Sequence, residues 1–182
     1  MSRIPTPASI AAAPEASRSS LEAVNNLLGS VPNLFRIVAN SPHTLEGYLG
    51  LNSALGNGAL DARTRERIAL AVAEINGCNY CLAAHQYLGS NLAKLSAAEI
   101  EANRRGTSGD EKAAVAVSFA VNIVNNRGKV AGSDVEAVRA AGYSDAEIVE
   151  IVGHVALNTL TNYINEVLGT DIDFPTVDVL AA

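Results

Sequence analysis

Aromatic residues are scarce in this sequence: its 182 residues include no Trp, five Tyr and three Phe. Cores built from β-strands draw heavily on aromatic and β-branched side chains, whereas small aliphatic side chains suit closely packed helices. Apolar residues nevertheless make up 48% of the chain. A chain of this length and composition can bury a sizeable core, and the composition favours helices over a β-sandwich.

Positive charge and long apolar runs are also scarce. The net charge is −6, whereas a nucleic-acid surface needs clustered Lys and Arg. Arg63, Arg65 and Arg67 come nearest to a basic cluster, but Glu66 interrupts them, and we interpret them as a solvated helix face. No run approaches the ~20 apolar residues that cross a bilayer, and prolines interrupt the first residues where a signal peptide needs an apolar stretch. We therefore predict a cytoplasmic protein that binds neither nucleic acid nor membrane.

Signals for helix starts recur along the chain. Residues 1–18 are rich in Ala, Pro and Ser without periodicity, which predicts a flexible arm or an extension that embraces a partner, and residues 19–182 are predicted to form one helical domain. A further short helix is predicted between Pro32 and Pro42. No run alternates in hydropathy as a strand does, so the predicted fold is all-α. The capping-box pattern Ser-x-x-Glu predicts four helix starts, at Ser19, Ser96, Ser133 and Ser144.

The only two cysteines of the chain, Cys78 and Cys81, are three residues apart. A helix that begins just after Gly77 would place both in its first turn and His85 one turn beyond Cys81. The N-terminus of a helix stabilises a thiolate, and a nearby imidazole can take and return a proton. The second cysteine can then close a disulfide before the first is over-oxidised. The spacing therefore predicts a redox-active dithiol.

Three other interpretations of the cysteine pair carry less weight. Two free cysteines can simply be small core residues. A structural zinc site needs four ligands, but there is no second Cys pair, and His43 and His154 are isolated in the sequence. A thioredoxin fold needs a strand–helix–strand context that the sequence lacks. We expect no metal and no cofactor, because electrons can arrive by thiol exchange.

The residues alone do not decide which carboxylate completes the site. Glu74 would share a stripe with the dithiol and His85 if one helix ran through them, but Gly77 interrupts that line. Glu66 lies on the preceding predicted helix, from about Ala62 to Asn76, which is apolar around most of its circumference. A carboxylate on a buried helix needs a partner, and a salt bridge to a neighbouring arginine is as good an explanation as a catalytic role.

A polar stripe on the last predicted helix is also open to two interpretations. His154, Asn158 and Asn162 follow one another at four-residue spacing. They would either line a cavity above the dithiol or, as is commoner, form a buried hydrogen-bond network or a subunit contact.

The stretch from Glu66 through Cys78 and Cys81 to His85 resembles the AhpD-like, carboxymuconolactone decarboxylase superfamily. The shared motif is a glutamate twelve residues before a dithiol and a histidine four residues after it. Residues 30–35, 41–42, 161–163 and 173–175 are similar to the peroxidase-related subgroup of that superfamily. The resemblance implies an all-helical AhpD-like bundle that assembles as a homo-oligomer, often a trimer or hexamer.

The resemblance also implies a reaction, the reduction of alkyl hydroperoxides. By position, Cys81 would attack the peroxide, Cys78 would resolve, and Glu66 and His85 would relay protons. The expected partners are a hydroperoxide and a thiol electron donor such as a lipoyl or thioredoxin-type protein. Tyr80 stands where the best-studied branch has a histidine, and a phenol is a poor base near neutral pH.

Two other functions stay open at this point. A lyase of the decarboxylase branch would use Glu66 and His85 as acid and base, and its turnover would survive alkylation of both thiols. A non-enzymatic redox sensor would form the disulfide and change assembly or partner binding without turnover.

Overall fold

The computed structural model describes residues 2–177 and 180, and every regular element within them is a helix. The all-α prediction is therefore confirmed. No helix in this part of the chain is both long and apolar enough to cross a membrane. The helices are α1 Glu15–Leu28, α2 Asn33–Val38, α3 Pro42–Gly56, α4 Ala62–Ile75, α5 Asn79–Asn91, α6 Ala97–Arg104, α7 Glu111–Asn125, α8 Gly132–Ala140 and α9 Asp145–Leu168.

Helix α4 is the centre of the fold. It packs against α5, α6, α7 and α9, and its residues 68–73 are all buried. Ala73 belongs to an apolar cluster with the cysteines and residues of α1, α2 and α3. Ile68 and Val72 belong to a second cluster with α7, α8 and α9. Because α4 contributes to both clusters, it holds the predicted site against the rest of the core.

Two of the four predicted helix starts are confirmed, at Ser96 and Ser144, and the complete capping box forms at Ser144. The hydroxyl of Ser96 accepts a hydrogen bond from the Glu99 N–H at 3.2 Å and caps α6. The hydroxyl of Ser144 accepts from the Glu147 N–H at 3.2 Å, and the Glu147 carboxylate accepts from the Ser144 N–H at 2.7 Å. Both ends of each interaction lie within four residues, so local sequence predicts them well.

The other two predicted helix starts, at Ser19 and Ser133, are wrong. Helix α1 begins at Glu15, so Ser19 lies inside it, and the entry residue is Pro14, whose fixed φ suits the start of a helix. Helix α8 begins at Gly132, where the carboxylate of Asp134 accepts from the Ala131 N–H at 2.8 Å. In both cases another residue begins the helix before the serine is reached.

Residues 2–14 pack on the helical domain, unlike the flexible arm predicted for residues 1–18. The guanidinium of Arg3 donates to the carbonyls of Glu166 and Val167 at 3.0 and 2.7 Å. These carbonyls belong to the last turn of α9 and have no partner within the helix, so a cation stabilises them. Ile4 and Ile10 pack against the cluster that contains the cysteines. The domain boundary at residue 19 stays a prediction.

Helix α6 is fastened to α4 through Glu99. Its carboxylate accepts from Arg67 Nε at 2.7 Å, from Asn103 Nδ2 at 3.0 Å, from the Gly109 N–H at 2.9 Å and from the Ser108 hydroxyl. Burial raises the pKa of Glu99, but the hydrogen bonds from Ser108, Asn103, Gly109 and Arg67 outweigh it and lower the pKa to about 2. The carboxylate therefore stabilises the fold in its charged form.

Glu99→Gln tests this connection. We expect it to lower the free energy of unfolding at pH 7 by about 3 kcal/mol, since Arg67 loses its charged partner in a largely buried place. The folded pKa lies below the ordinary value of 4.5, so the contribution is complete above that value and is lost as the pH falls toward 2. Urea unfolding from pH 7 to pH 3 should show the parent approaching the variant.

The matched control is Glu101→Gln on the same helix. Glu101 pairs with Arg105, but both side chains are more than half exposed, so we expect less than about 0.5 kcal/mol. A gap between Glu99→Gln and the parent that stays constant down to pH 3 would contradict the assignment.

Candidate functional site

A left-handed turn places both cysteines. Helix α4 ends at Ile75, Gly77 follows with φ +66°, and the Cys78 N–H donates to the Ala73 carbonyl at 3.0 Å. Glycine adopts this conformation without steric cost. Cys78 then caps α5, and its Sγ accepts from the Cys81 N–H at 3.2 Å. The prediction that a helix begins just after Gly77 is confirmed.

The two cysteines form a disulfide inside the core. Their Cα atoms are 5.3 Å apart, a usual separation for bridged cysteines. Cys78 and Cys81 are only 0% and 3% exposed. Both sulfurs lie in the first turn of α5, where the helix dipole favours negative charge. A reduced pair in this position would therefore be stabilised as a thiolate.

Glu66 on α4 and His85 on α5 meet between the two helices. The Nδ1–H of His85 donates to Glu66 Oε2 at 2.8 Å, and each side chain is about one-fifth exposed. The bond joins α4 to α5 and leaves Nε2 of the imidazole free of this partner, so the ring can exchange a proton there. His85 follows Cys81 by one helical turn on the same face of α5. The candidate carboxylate, imidazole and dithiol thus share the α4–α5 junction.

The other candidate carboxylate faces elsewhere. Glu74 accepts from Arg104 Nε at 2.7 Å and ties α4 to α6. As the interruption at Gly77 predicted, α4 ends before that residue, so Glu74 does not share one helix with the dithiol and His85. The alternative salt bridge for Glu66 also differs from the structure, since Arg67 pairs with Glu99 and Glu66 with His85.

Tyr80 lies between the cysteines in sequence, but its hydroxyl is bound by other segments. The hydroxyl donates to Asp173 Oδ1 at 2.8 Å and accepts from the Leu34 N–H at 3.1 Å. Asp173 Oδ2 in turn accepts from the Asn33 N–H at 2.8 Å, and the Phe174 ring packs edge-on against Tyr80 at 5.8 Å. Burial raises the pKa of Tyr80, and the Asp173 carboxylate raises it further. Tyr80 therefore fastens α2 and the segment after α9 to α5.

The polar stripe on α9 is buried, since His154, Asn158 and Asn162 are each at most 6% exposed. Asn162 Oδ1 accepts from Asn76 Nδ2 at 2.9 Å, which holds α9 against the end of α4. Asn158 Nδ2 donates to the His154 carbonyl at 2.8 Å. Burial lowers the pKa of His154, and the charge of Arg65 lowers it further. His154 Nε2 and Asn162 Nδ2 have no hydrogen-bond partner in the described part of the chain, so the three side chains do not form one continuous network and the role of the stripe stays a prediction.

Sequence reasoning missed two residues near the site. Asn165 on α9 is 3% exposed, and its Nδ2 donates to Cys81 Sγ at 3.2 Å. It lies three residues beyond the predicted stripe, so its place on the buried face of a long helix was the available signal. Tyr48 on α3 has its pKa raised to about 12, first by burial and then by the charge of Glu66. Its phenol is a neutral neighbour of the Glu66 carboxylate at physiological pH.

No three His, Cys, Asp or Glu side chains cluster as a metal site requires, within residues 2–177 and 180.

Comparisons with known sequences point to the same stretch of the chain. Residues 42–120 match the Carboxymuconolactone decarboxylase family, a span that contains Glu66, both cysteines and His85. An uncharacterized protein of Haemophilus influenzae is 49% identical over 45 residues, which are 24% of this chain and 40% of that protein. The match to this curated relative thus spans well under half of the relative's length.

Three solved structures share the fold. An AhpD-core, peroxidase-related protein from Ralstonia eutropha JMP134 aligns with a TM-score of 0.84 and 27% identity, over 94% of this chain and 92% of its own. A peroxidase-related protein from Silicibacter sp. TM1040 aligns with a TM-score of 0.81 and 24% identity, over 93% of this chain and 91% of its own. The debrominase Bmp8, as a variant in complex with 2,3,4-tribromopyrrole, aligns with a TM-score of 0.76 and 18% identity, over 92% of this chain and 90% of its own. The chain has the AhpD-like fold, and the family match and these neighbours agree with its resemblance to the AhpD-like superfamily.

Tyr80→Phe tests the link between the three segments at Tyr80. The Leu34 N–H and one oxygen of Asp173 lose their shared partner, so we expect the free energy of unfolding to fall by about 1–3 kcal/mol. The Leu34 amide should also exchange faster with deuterium, as NMR can measure. Tyr87→Phe is the control, because its ring also packs on Phe174, at 6.0 Å, but is 46% exposed. Equal exchange at Leu34 in Tyr80→Phe and the parent would contradict the link.

Proposed function

We propose that this protein is a thiol-dependent hydroperoxide reductase that works through the Cys78–Cys81 pair. The observation that carries the proposal is the Glu66–His85 hydrogen bond at 2.8 Å, one helical turn along α5 from a dithiol at the N-terminus of that helix. A thiolate nucleophile and a held imidazole are the two groups that peroxide reduction by a dithiol requires. The similarity to an AhpD-core protein at 27% identity supports the same reaction class.

The proposed reaction has two steps. The thiolate of Cys81 attacks the terminal oxygen of the hydroperoxide, the O–O bond breaks, and the departing alkoxide takes a proton and leaves as an alcohol. Cys81 is now a sulfenic acid. The Cys78 thiolate attacks its sulfur, the S–O bond breaks, and the hydroxide leaves as water after taking a proton. The two thiols are oxidised to the disulfide and the peroxide is reduced.

His85 is the proton carrier in this scheme. Its Nδ1–H is held by Glu66, so the opposite ring nitrogen gives a proton to the leaving oxygen and recovers it from a thiol. The Glu66 carboxylate keeps the ring in that tautomer and stabilises the imidazolium, as second partners of catalytic histidines do. Tyr80 takes no part, because its hydroxyl is bound to Asp173 and Leu34.

The disulfide must be reduced again by exchange with a dithiol donor. We propose a lipoyl or thioredoxin-type protein as that donor. The fold alone does not decide the reaction, since the debrominase Bmp8 shares it.

The reaction is tested by mixing the reduced protein with an alkyl hydroperoxide and counting free thiols over time. We expect rapid loss of two thiols, no reaction in Cys81→Ser beyond that of a free thiol, and a trapped sulfenic acid in Cys78→Ser. Full retention of peroxide consumption in Cys81→Ser would remove the proposal. Disulfide formation without turnover would instead favour the sensor, and turnover after alkylation of both thiols would favour the lyase.

Glu66→Gln tests the relay. Because the imidazole loses its carboxylate, we expect peroxide-dependent thiol loss to slow by about 100-fold. Glu74→Gln is the matched control, since it removes a carboxylate from the same helix but loses only the pair with Arg104. Rates are compared in stopped-flow experiments where both variants are fully folded. Equal slowing in the two variants would contradict a relay through Glu66.

We also propose that the chain assembles as a homo-oligomer, a trimer or hexamer. The solvent-facing side of α9 is apolar along most of its length, which is unusual for an isolated surface. The exposed residues on this side are Val149, Val152, Leu160, Tyr163 and Val167.

Sedimentation of Leu160→Glu tests the assembly. Leu160 is 40% exposed in the middle of this side of α9, so we expect a buried carboxylate there to dissociate the oligomer. Leu27→Glu on α1 is the control, because Leu27 is 82% exposed and lies elsewhere. A parent protein that sediments as a monomer would contradict the assembly.

A further inference from the structure

The contact between Asn165 and Cys81 joins two distant parts of the chain. Asn165 Nδ2 lies 3.2 Å from Cys81 Sγ, across a sequence separation of 84 residues. Both residues are only 3% exposed. A disulfide sulfur is a weak hydrogen-bond acceptor, whereas a thiolate is a charged one, and charged acceptors form markedly stronger bonds. The same N–H is therefore worth more when Cys81 is reduced and ionised.

The orientation of the Asn165 side-chain amide leaves one of its polar atoms without a hydrogen bond. Its Oδ1 is buried without a hydrogen-bond partner in the described part of the chain, and such an atom costs free energy. The opposite orientation of the amide would turn this oxygen toward the sulfur and leave a thiolate without a donor. Three residues earlier, the Asn162–Asn76 hydrogen bond at 2.9 Å holds α9 against the end of α4. This second contact fixes the rotation of α9 and its position along its own axis, and both bring Asn165 to the sulfur.

The two sulfurs have different donors. Cys78 Sγ accepts the backbone N–H of Cys81 at 3.2 Å, as the capping residue of α5. That donor is available to any cysteine that caps a helix, and with the helix dipole it favours Cys78 as the thiolate. The side-chain N–H of Asn165 is the contact that gives Cys81 a donor of its own.

We propose that Asn165 stabilises the Cys81 thiolate and thereby makes Cys81, instead of the helix-capping Cys78, the attacking sulfur. The inference deepens the proposed peroxidase function and rests on it. Reduction of the disulfide takes up two electrons and one proton and yields the Cys81 thiolate and the Cys78 thiol. Because Asn165 stabilises a product of this half-reaction, it also makes the disulfide easier to reduce.

Asn165→Leu removes the N–H at similar volume, and Asn165→Asp keeps the shape but replaces the donor with a negative charge. In a Cys78→Ser background, the alkylation rate of Cys81 is measured from pH 5 to pH 10. We expect about a tenfold slower rate at pH 7 in Asn165→Leu, with the profile displaced toward higher pH, and a larger displacement in Asn165→Asp.

The second readout is the equilibrium of the intact dithiol with dithiothreitol. We expect about a tenfold shift toward the disulfide in Asn165→Leu, which corresponds to a reduction potential about 30 mV more negative. Asn158→Leu is the matched control: it lies two turns earlier on the same helix and is equally buried, but its amide donates to the His154 carbonyl. It should leave both readouts unchanged.

Two results would overturn the inference. One is a folded Asn165→Leu protein whose pH profile of Cys81 alkylation and equilibrium with dithiothreitol match those of the parent. If Asn165→Leu does not fold, the same two measurements on Asn165→Asp decide. The other is an equal displacement for Cys78 in a Cys81→Ser background. Neither readout uses peroxide, so the two proposals can fail separately. If the parent consumes no peroxide but Asn165→Leu shifts the pH profile and the dithiothreitol equilibrium as expected, the peroxidase function is refuted and the assignment of the thiolate to Cys81 stands.

Discussion

The left-handed turn at Gly77 is the constraint on which the rest of the site depends. It ends α4 at Ile75 and begins α5 with Cys78 as the capping residue. The chain reverses there, so α5 packs back along α4, and His85 reaches Glu66, 19 residues earlier. A helix that continued through Gly77 would put Glu74 on the cysteine stripe and take Glu66 away from the imidazole. One backbone conformation therefore decides which carboxylate reaches the imidazole of His85.

The surroundings of this turn are held by polar groups within an apolar core. Arg67 and Arg104 pair with Glu99 and Glu74, and both pairs tie α6 to α4. On the opposite side, Asn162 ties α9 to Asn76 next to the turn. Removing one partner of a buried pair leaves the other uncompensated, so these contacts fix the positions of helices more than they add net stability. Their effect is that a dithiol, a carboxylate and an imidazole keep one arrangement.

Local signals explain how much of this could be predicted. The start of α5 after Gly77, the extent of α4, and the caps Ser96 and Ser144 depend on neighbours within a few residues, and these predictions are confirmed. The predicted helix start at Ser19 is wrong because a Ser-x-x-Glu pattern can also occur inside a helix, here one that begins after Pro14. The choice between the two glutamates was not available from the residues, since each finds its partner on another helix. Asn165 was missed for the same reason, because its partner is 84 residues away.

In the proposed mechanism, Glu66 and His85 act on the dithiol as one unit. The most direct measurement is a double-mutant cycle on the rate of peroxide-dependent thiol oxidation, with Glu66→Gln, His85→Gln and the double variant. Groups that act as a unit are strongly non-additive, so the double variant should be no slower than the slower of the two single variants. Losses that multiply in the double variant would show two independent contributions and would contradict the account.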